Sequence, residues 1–479
     1  MTVREETGLR AGAAAADITP RPGTQIAGDI GRYRPVEEVR DPLFARALVV
    51  ESGGRSVCWL SMDILAITRR WADEIRRQAS LRFGLERDAV MVHVLQNHAA
   101  PSAGHFFVFD EDDWARFPRE YPWLLGGDEA YNALCVDGAL SAIGRAVASL
   151  RPASVHAGRG VDGRVAFNRR FVMRDGTGLA EPGLKVPDGQ TNPDILYCEG
   201  PSDPEVGIVT FTGEDGRVFA ALLHHTCHPG HGYPERWVSA GWPGAWCNGV
   251  RDLLGPDCVP LVVNGFCGNV HHRNHLDPSY RDDHLDMGRK LTETTARVLT
   301  RMAPVGAPTL GWRTRTLEIP LRTPTSREEA DARRLLARHP EPLWADTSRT
   351  AVDWDWVYAV TRLDLAEHVR RTPRFDYPVQ VYRLGGFALA AVPGEPFVQE
   401  QLRIKQASPA RLTFMAHMCN AYVGYIPTTE AFRNGGYETR TGAGSKLAPE
   451  ALEMIGDSIL EMLGELFAEG AQGAGSAPG

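Results

Sequence analysis

The sequence predicts an α/β fold in which mixed β-sheets are flanked by helices. Several short apolar runs are each closed by glycine or proline, a pattern typical of buried strands that end in turns. The longer segments between these runs carry apolar residues at helical spacing. The chain has 479 residues, 43% of them hydrophobic and 23% charged, which is ordinary for a globular protein and enough to bury a large core.

Charge and cysteine content exclude several functional classes. The net charge is −8, from 52 basic and 60 acidic residues, so neither a nucleic acid nor an anionic membrane is expected as the main partner. No apolar segment approaches the roughly 20 residues that a membrane span needs, and the charged N-terminus does not resemble a signal peptide. The eight cysteines lie far apart without a CxxC pair, which argues against a disulfide framework and a zinc finger. We therefore expect a cytoplasmic protein with a small-molecule substrate; its oligomeric state stays open.

The first part of the chain predicts a hairpin, a helix and a buried strand. A strand within residues 11–20 stops at a Pro/Gly turn, and Asp63 follows the later hairpin either as a helix cap or as part of a site. The hairpin turn is Glu51-Ser-Gly-Gly54. The predicted elements are the strands 45–50 and 56–61, the helix 69–83, the strand 90–95, a lid or loop at 110–123, and the helix 128–149.

The remaining elements continue the α/β pattern without a recognisable internal repeat. After a turn-rich region, they are the strands 218–223, 259–263, 379–384 and 387–392, the helix 285–302, and a charged helical insertion at 326–371. The Gly/Ala/Ser-rich tail 469–479 is expected to be disordered. We therefore predict one large domain over residues 1–468.

Five strand ends carry polar side chains in loops. Residues 223–231 read Leu-His-His-Thr-Cys-His-Pro-Gly-His, which places four histidines where a strand leaves its sheet. Loops at strand ends are where α/β proteins place their chemistry. The alternative interpretation is one or two core histidines with satisfied hydrogen bonds, accompanied by solvent-facing ones. The other four strand ends carry His98, His271, Glu395 and Tyr425.

This set of residues favours a metal site. Two or three histidines with one carboxylate are the ligands of a catalytic zinc that keeps a position open for water. Glu395 could instead cap a helix, and Cys227 and Cys267 are weaker candidate ligands because they adjoin histidine-rich turns. The chain has no GxSxG, Walker or convincing GxGxxG motif, so serine-elbow, nucleoside-triphosphate and dinucleotide chemistry are not indicated.

Several segments together resemble the neutral, non-lysosomal ceramidase family, of which this chain looks like a divergent member. They follow in family order over residues up to about 465: Ala16-Asp-Ile-Thr-Pro20, Asp41-Pro-Leu-Phe-Ala-Arg-Ala47, the His98 turn, Asn168-Arg169, Cys227-His-Pro229, Pro393-Gly-Glu395, Asn420-Ala-Tyr-Val-Gly-Tyr425 and Tyr437.

The resemblance implies a ceramidase-like α/β catalytic domain with one zinc that hydrolyses an N-acyl amide. It implies zinc ligands at His228, Glu395 and Tyr425, and substrate or oxyanion contacts at Arg169 and Tyr437.

Three departures from the family pattern change the expected chemistry. The His-x-His pair reads Gln96-Asn-His98, so a glutamine replaces the usual ligand. The turn that carries the family's serine reads Gly268-Asn-Val-His271, and an aspartate position is Gly241. Because the family's C-terminal β-domain and secretion signal are also missing, ceramide itself is not expected as the substrate.

The sequence therefore predicts a metal-dependent hydrolase that cleaves an amide or ester bond of a small molecule through metal-activated water. The alternative is a degenerate member that binds a ligand or uses its histidines for non-hydrolytic chemistry. The predicted site holds one zinc per chain on His98, His228, Glu395 and Tyr425. The predicted catalytic residues are His98, His271 and Tyr437, with one of the two histidines as the base. Gln96 and Arg169 are predicted to bind the substrate.

Overall fold

Three β-sheets form the framework of the protein, which a computed structural model describes for residues 8–473 apart from 30, 110–113, 115 and 188. Strands and helices are numbered here in chain order. The first sheet has the order β5-β4-β3-β1-β6, in which only β4 and β5 are parallel. Its strands are β1 (Arg10–Asp17), β3 (Phe44–Ser52), β4 (Arg55–Met62), β5 (Val90–Val94) and β6 (Arg151–Pro152).

The second sheet has the order β15-β13-β12-β7-β17, again with one parallel pair, β13 and β15. Its strands are β7 (Ser154–Val161), β12 (Glu205–Thr212), β13 (Val218–His225), β15 (Val259–Asn264) and β17 (Ala303–Pro304). The third sheet has the order β18-β19-β20-β22, with β20 and β22 parallel. Its strands are β18 (Leu310–Pro320), β19 (Arg374–Leu384), β20 (Phe387–Ala391) and β22 (Leu412–Ala416).

Short strands tie the loops of these sheets together. The pairs are β2 (Glu38–Val39) with β14 (Trp237–Val238), β8 (Phe167–Asn168) with β16 (Val270–His271), and β21 (Glu395–Pro396) with β23 (Tyr425–Ile426). A three-stranded sheet contains β9 (Arg170–Met173), β10 (Gly178–Ala180) and β11 (Ile195–Cys198).

The described α-helices lie mostly between the strands of the large sheets. They are α1 (Arg69–Phe83), α2 (Glu129–Ala148), α3 (Gly241–Leu254), α4 (His284–Leu299), α5 (Ser326–Arg338), α6 (Trp354–Arg371), α7 (Val398–Ala407), α8 (Thr429–Asn434) and α9 (Ala451–Gly473). Short 3-10 helices occur at Arg87–Ala89, Pro122–Leu125, Pro182–Lys185 and Tyr437–Thr439.

The three large sheets share one topology. In each, an antiparallel hairpin is followed by a helix that crosses over to a parallel strand: β3-β4-α1-β5, β12-β13-α3-β15 and β19-β20-α7-β22. A second helix follows each parallel strand, α2, α4 or α9. The chain is thus a threefold structural repeat that the sequence pattern did not reveal.

The strands are buried on both faces because the sheets surround a common centre. Alternate side chains point inward to a core shared by all three sheets, to which Trp59, Leu222 and Phe414 contribute. The other face of each sheet packs against its own helices, as Leu60 does in the first sheet. This explains why the strands read as near-continuous apolar runs.

The predicted α/β class is confirmed, and most predicted elements lie within a few residues of the observed ones. Helix α1 has the predicted bounds and ends at Gly84, which adopts the left-handed conformation (φ 71°) that glycine tolerates. Residues 110–113 and 115 of the predicted lid lie outside the described part. Helix α9 extends to Gly473, into the tail for which disorder is predicted from residue 469, and that disorder stays a prediction.

No helix in the described part of the chain is both long enough and apolar enough to cross a bilayer.

Candidate metal and active site

Ends of parallel strands from all three structural repeats lie in one region. His98 follows β5, His228 follows β13, and Glu395 follows β20. A parallel bridge pairs His228 with His271, and the short ladder of β21 and β23 pairs Glu395 with Tyr425. Carboxyl ends of parallel strands are the usual location of α/β sites. The predicted site residues are therefore brought together.

His98 and His228 face each other through their ring nitrogens. Their Nε2 atoms lie 2.9 Å apart. His98 Nδ1 lies 2.7 Å from the carbonyl oxygen of Gly28, and His228 Nδ1 lies 3.4 Å from that of Cys267. A carbonyl can only accept, so the single N–H of each neutral imidazole belongs on Nδ1. The two Nε2 lone pairs then point at each other.

Backbone geometry fixes this histidine pair. Gly28 approaches so closely that a β-carbon there would lie 2.2 Å from the His98 carbonyl oxygen. Gln96, two residues earlier, has a φ of 64°, which side-chain-bearing residues rarely adopt. Such strain persists where the surroundings over-determine a conformation, and it concentrates at functional sites.

Burial keeps both imidazoles neutral. It lowers the pKa of His98 to about 3 and that of His228 well below its usual value, and the nearby Arg169 acts in the same direction. A proton between the two Nε2 atoms is therefore disfavoured, whereas a metal cation would use both lone pairs. The donors present fit a metal ligand pair.

Glu395 is a buried carboxylate with spare hydrogen-bonding capacity. Burial raises its pKa to about 7, opposed by Gln96, Arg169 and Tyr425. Its Oε2 atom has no hydrogen-bond partner among the described residues. It does not cap helix α7, which begins at Val398. A buried oxygen of this kind is expensive unless something absent from the protein chain satisfies it.

Arg169 joins the two tyrosines of the site. It is 3% exposed, donates from Nη2 to the Gly268 carbonyl oxygen over 2.8 Å, and lies with Cζ 5.6 Å from the ring centroid of Tyr425 and 5.5 Å from that of Tyr437. The hydroxyls of Tyr425 and Tyr437 are 3.4 Å apart. Arg169 is thus part of the site, although its contact with Glu181 also gives it a carboxylate partner.

His271 lines the same region but is not arranged as a base at Nδ1. The Arg273 backbone N–H donates to His271 Nδ1 over 3.3 Å, which places the hydrogen of the neutral ring on Nε2. Burial holds the pKa of His271 well below its usual value. The neutral ring is therefore a hydrogen-bond donor at Nε2.

A cavity of about 670 Å³ connects these groups. Gln96, His98, His228, His271, Glu395, Arg169 and both tyrosines line it, together with apolar side chains such as Phe107 and Trp354. Its size and mixed lining suit a small molecule. A larger cleft of about 1030 Å³ around Lys446 contains none of the predicted site residues.

A second cluster lies at the edge of this cavity. His231, His272 and Asp282 offer donor atoms that all lie within 4.8 Å of one another, the arrangement of a possible metal-binding group. Among the described residues, His98, His228 and Glu395 do not form a three-donor group of that tightness. The sequence does not identify Asp282 as a site residue, because it lies in a loop without a motif.

Two other histidines of the sequence pattern pack in the core, although His224 Nδ1 and His225 Nε2 have no hydrogen-bond partner among the described residues. His224 stacks on Phe414 with ring centroids 4.6 Å apart, and His225 Nδ1 lies 3.0 Å from the Glu205 carbonyl oxygen. Cys267 Sγ is 4.0 Å from His228 Nδ1, whereas the Nε2 atom of this ring is the one that faces His98.

No protein-family model and no curated protein sequence matches the chain. The solved structures that resemble it include two of ceramidases. The neutral ceramidase from Pseudomonas aeruginosa is 18% identical, with a TM-score of 0.69 over 96% of this chain and 74% of that one. A ceramidase complexed with C2 is 17% identical, with a TM-score of 0.69 over 97% of this chain and 76% of that one.

These similarities show that the chain has the neutral ceramidase fold. The resemblance predicted from the sequence is confirmed at the level of the fold.

Proposed function

We propose that this protein is a metal-dependent hydrolase that cleaves an amide or ester bond of a small molecule. The observation that carries the proposal is the pair of neutral imidazoles whose Nε2 atoms face each other over 2.9 Å at the cavity. The neutral ceramidase fold agrees with amide hydrolysis as the chemistry, and the cavity of about 670 Å³ agrees with a small substrate.

The metal would be held by His98, His228, Glu395 and Tyr425, with His98 in place of the histidine that Gln96 replaces. The facing lone pairs and the unpartnered Glu395 Oε2 supply nitrogen and oxygen donors of the kind that zinc prefers. When bound, zinc supplies Lewis acidity toward a carbonyl oxygen and lowers the pKa of a bound water. We expect one zinc at this site.

The remaining residues bind the substrate and stabilise developing charge. Tyr437, which is 39% exposed, can donate its hydroxyl hydrogen to the carbonyl oxygen of the scissile bond. Arg169 holds the tyrosine pair in place and adds positive charge beneath it. Gln96 offers an amide near Glu395, and His271 offers Nε2–H as a second donor to the substrate.

Transfer of the water proton falls best to Glu395. With His98 and His228 committed as ligands and His271 a donor, a carboxylate that ligates through one oxygen retains the other as a proton acceptor. We infer that Glu395, rather than His98 or His271 as predicted from the sequence, accepts this proton.

The first prediction tests the metal. We expect Glu395→Gln and His228→Gln to hold one zinc equivalent fewer than the wild type and to lose hydrolysis, because each removes a main ligand. Elemental analysis after gel filtration measures the metal, and an activated ester or amide measures activity. His156→Gln, on the outer strand β7, serves as the control and should retain the wild-type metal content.

The alternative function is a ligand-binding protein that has lost hydrolysis. The looser spacing of His98, His228 and Glu395 and the Gln96 replacement favour it. If Glu395→Gln and His228→Gln contain as much metal as the wild type, and if chelators leave the activity of the wild type unchanged, the alternative is supported. Hydrolysis through the metal is then contradicted.

A further inference from the structure

We propose that His231, His272 and Asp282 form a second site for a divalent transition-metal ion, separate from the one at His98 and His228. The three residues come from two loops that meet beside the cavity. His231 lies in the turn after β13, whereas His272 and Asp282 lie in the segment between β16 and α4. The site is defined by this meeting of loops and does not depend on the proposed function.

The geometry converges on one carboxylate oxygen. His272 Nε2 lies 3.2 Å from Asp282 Oδ1, and His231 Nε2 lies 3.6 Å from the same atom. The two imidazole rings are stacked, with centroids 3.7 Å apart and an interplanar angle of 22°. Two nitrogens and an oxygen therefore point at one small volume.

The histidines lack the partners that buried imidazoles need. His231 is 2% exposed and His272 is 3% exposed. Among the described residues, neither ring nitrogen of His231 has a hydrogen-bond partner, and neither does Nδ1 of His272. Leaving a buried polar atom unpaired costs roughly 1–3 kcal/mol. A cation held between His231 Nε2 and Asp282 would satisfy this unpartnered nitrogen of His231, whereas His272 Nε2 already has Asp282 as a partner.

Protonation is a poorer explanation of the cluster. Burial lowers the pKa of His231 well below its usual value, and His272, His284 and Arg273 add positive influence in the same direction. A neutral imidazole is the form that binds a metal.

The donor set indicates the class of ion. Two imidazoles and one carboxylate suit Zn²⁺, Co²⁺ or Ni²⁺, whereas Mg²⁺ and Ca²⁺ prefer oxygen ligands. Asp282 is exposed, and both it and His272 line the cavity. The ion would therefore keep coordination positions open toward the cavity, as catalytic rather than structural zinc does.

The site is distinct from the first one because its three-donor group contains none of His98, His228 and Glu395. His271 neighbours both donor sets, with its ring centroid 3.9 Å from that of His272 and 6.0 Å from that of His228. His284 lies beyond His231 and is directed to Asp41, with Nε2 3.3 Å from Oδ2.

The experiment measures zinc per chain after equilibrium dialysis against zinc chloride. We expect about two equivalents in the wild type and about one in His231→Gln and in Asp282→Asn. Asp282→Asn is close to isosteric at an exposed position, so it should fold even if His231→Gln does not. His156→Gln is the matched control and should keep both equivalents. Crystals of the zinc-soaked protein should show an anomalous peak at His272 Nε2.

The possible outcomes separate this site from the first one. Loss of one equivalent in Asp282→Asn, with a second equivalent lost only in His228→Gln, supports both sites. If His228→Gln changes nothing and Asp282→Asn removes the bound zinc, the second site stands and the first fails. The second site would be overturned if Asp282→Asn and His231→Gln bound as much zinc as the wild type and the crystals showed no anomalous peak at His272.

Discussion

At the scale of single residues, His271 is the clearest departure from the chemistry of the family that the sequence resembles. A serine hydroxyl could form an acyl intermediate, whereas this imidazole carries its hydrogen on Nε2 and is held neutral by burial. A neutral N–H donor can stabilise negative charge on a carbonyl oxygen without becoming attached to the acyl group. Under the proposed function, we therefore expect direct attack by water with no covalent intermediate.

The donor role of His271 predicts the kinetics of two substitutions. His271→Ala should lower kcat by about 10²–10³-fold, the usual cost of removing one oxyanion donor. His271→Gln should recover part of that loss, because its amide retains a donor. Steady-state kinetics with an activated ester or amide measure both, and mass spectrometry of the quenched enzyme tests for an adduct. A covalent acyl group, or equal rates for Ala and Gln, would contradict the donor role.

The sequence identified the site residues that follow strands. His98, His228, Glu395 and Tyr425 could be selected because an apolar run followed by glycine or proline marks a strand end locally. Asp282 could not, since its place beside His231 and His272 depends on loops that meet only in the folded protein. Likewise, the tautomer of His271 depends on the backbone N–H of Arg273 and cannot be predicted from the sequence.

At the scale of elements, the hairpin of β3 and β4 contains a buried ion pair. Asp63, considered from the sequence as a helix cap or site residue, is neither. It accepts hydrogen bonds from Arg46 Nη1 over 2.6 and 2.7 Å and from the Phe44 backbone N–H over 2.8 Å. Asp63 is 0% exposed and Arg46 is 7% exposed. The pair fixes the end of β4, from which the chain enters α1.

Removing one partner of this ion pair should destabilise the protein more than removing both. Asp63→Asn leaves the Arg46 charge buried without a counter-ion, so we expect a loss of about 3–5 kcal/mol in the free energy of unfolding. The double variant Arg46→Met/Asp63→Asn should recover a large part of it. Urea unfolding followed by tryptophan fluorescence measures both. A double variant as unstable as Asp63→Asn alone would show that the charge is not the cause.

Long elements were predictable and short ones were not. The hairpin strands and α1 follow local rules of apolar period and turn residues. The two-residue strands β16 and β21 have no such period, and they exist because their partners β8 and β23 are brought alongside by the rest of the fold. These short ladders nevertheless position His271 and Glu395, so the finest details of the site depend on tertiary structure.

At the scale of the whole molecule, the three sheets are joined through aromatic contacts in their shared core. Trp59 of the first sheet lies edge-on to Tyr382 and Phe387 of the third, with centroids 6.1 Å apart in both pairs. Phe414 of the third sheet stacks on His224 of the second. The topological repeat escaped the sequence analysis because hydrogen-bond topology can be kept while side chains diverge.

Because this core belongs to all three sheets, we predict that they unfold together. Trp59→Leu should destabilise the protein by a few kcal/mol through lost volume and aromatic contact. Hydrogen exchange followed by mass spectrometry should then show an equal loss of protection in β4, β13 and β20. The control is Leu363→Ala, in a small cluster between α5 and α6 with Ala332 and Ala359, whose effect should stay within those helices. Faster exchange confined to the first sheet in Trp59→Leu would mean that each repeat is an independent unit, and that the site at their junction can be disrupted by one repeat alone.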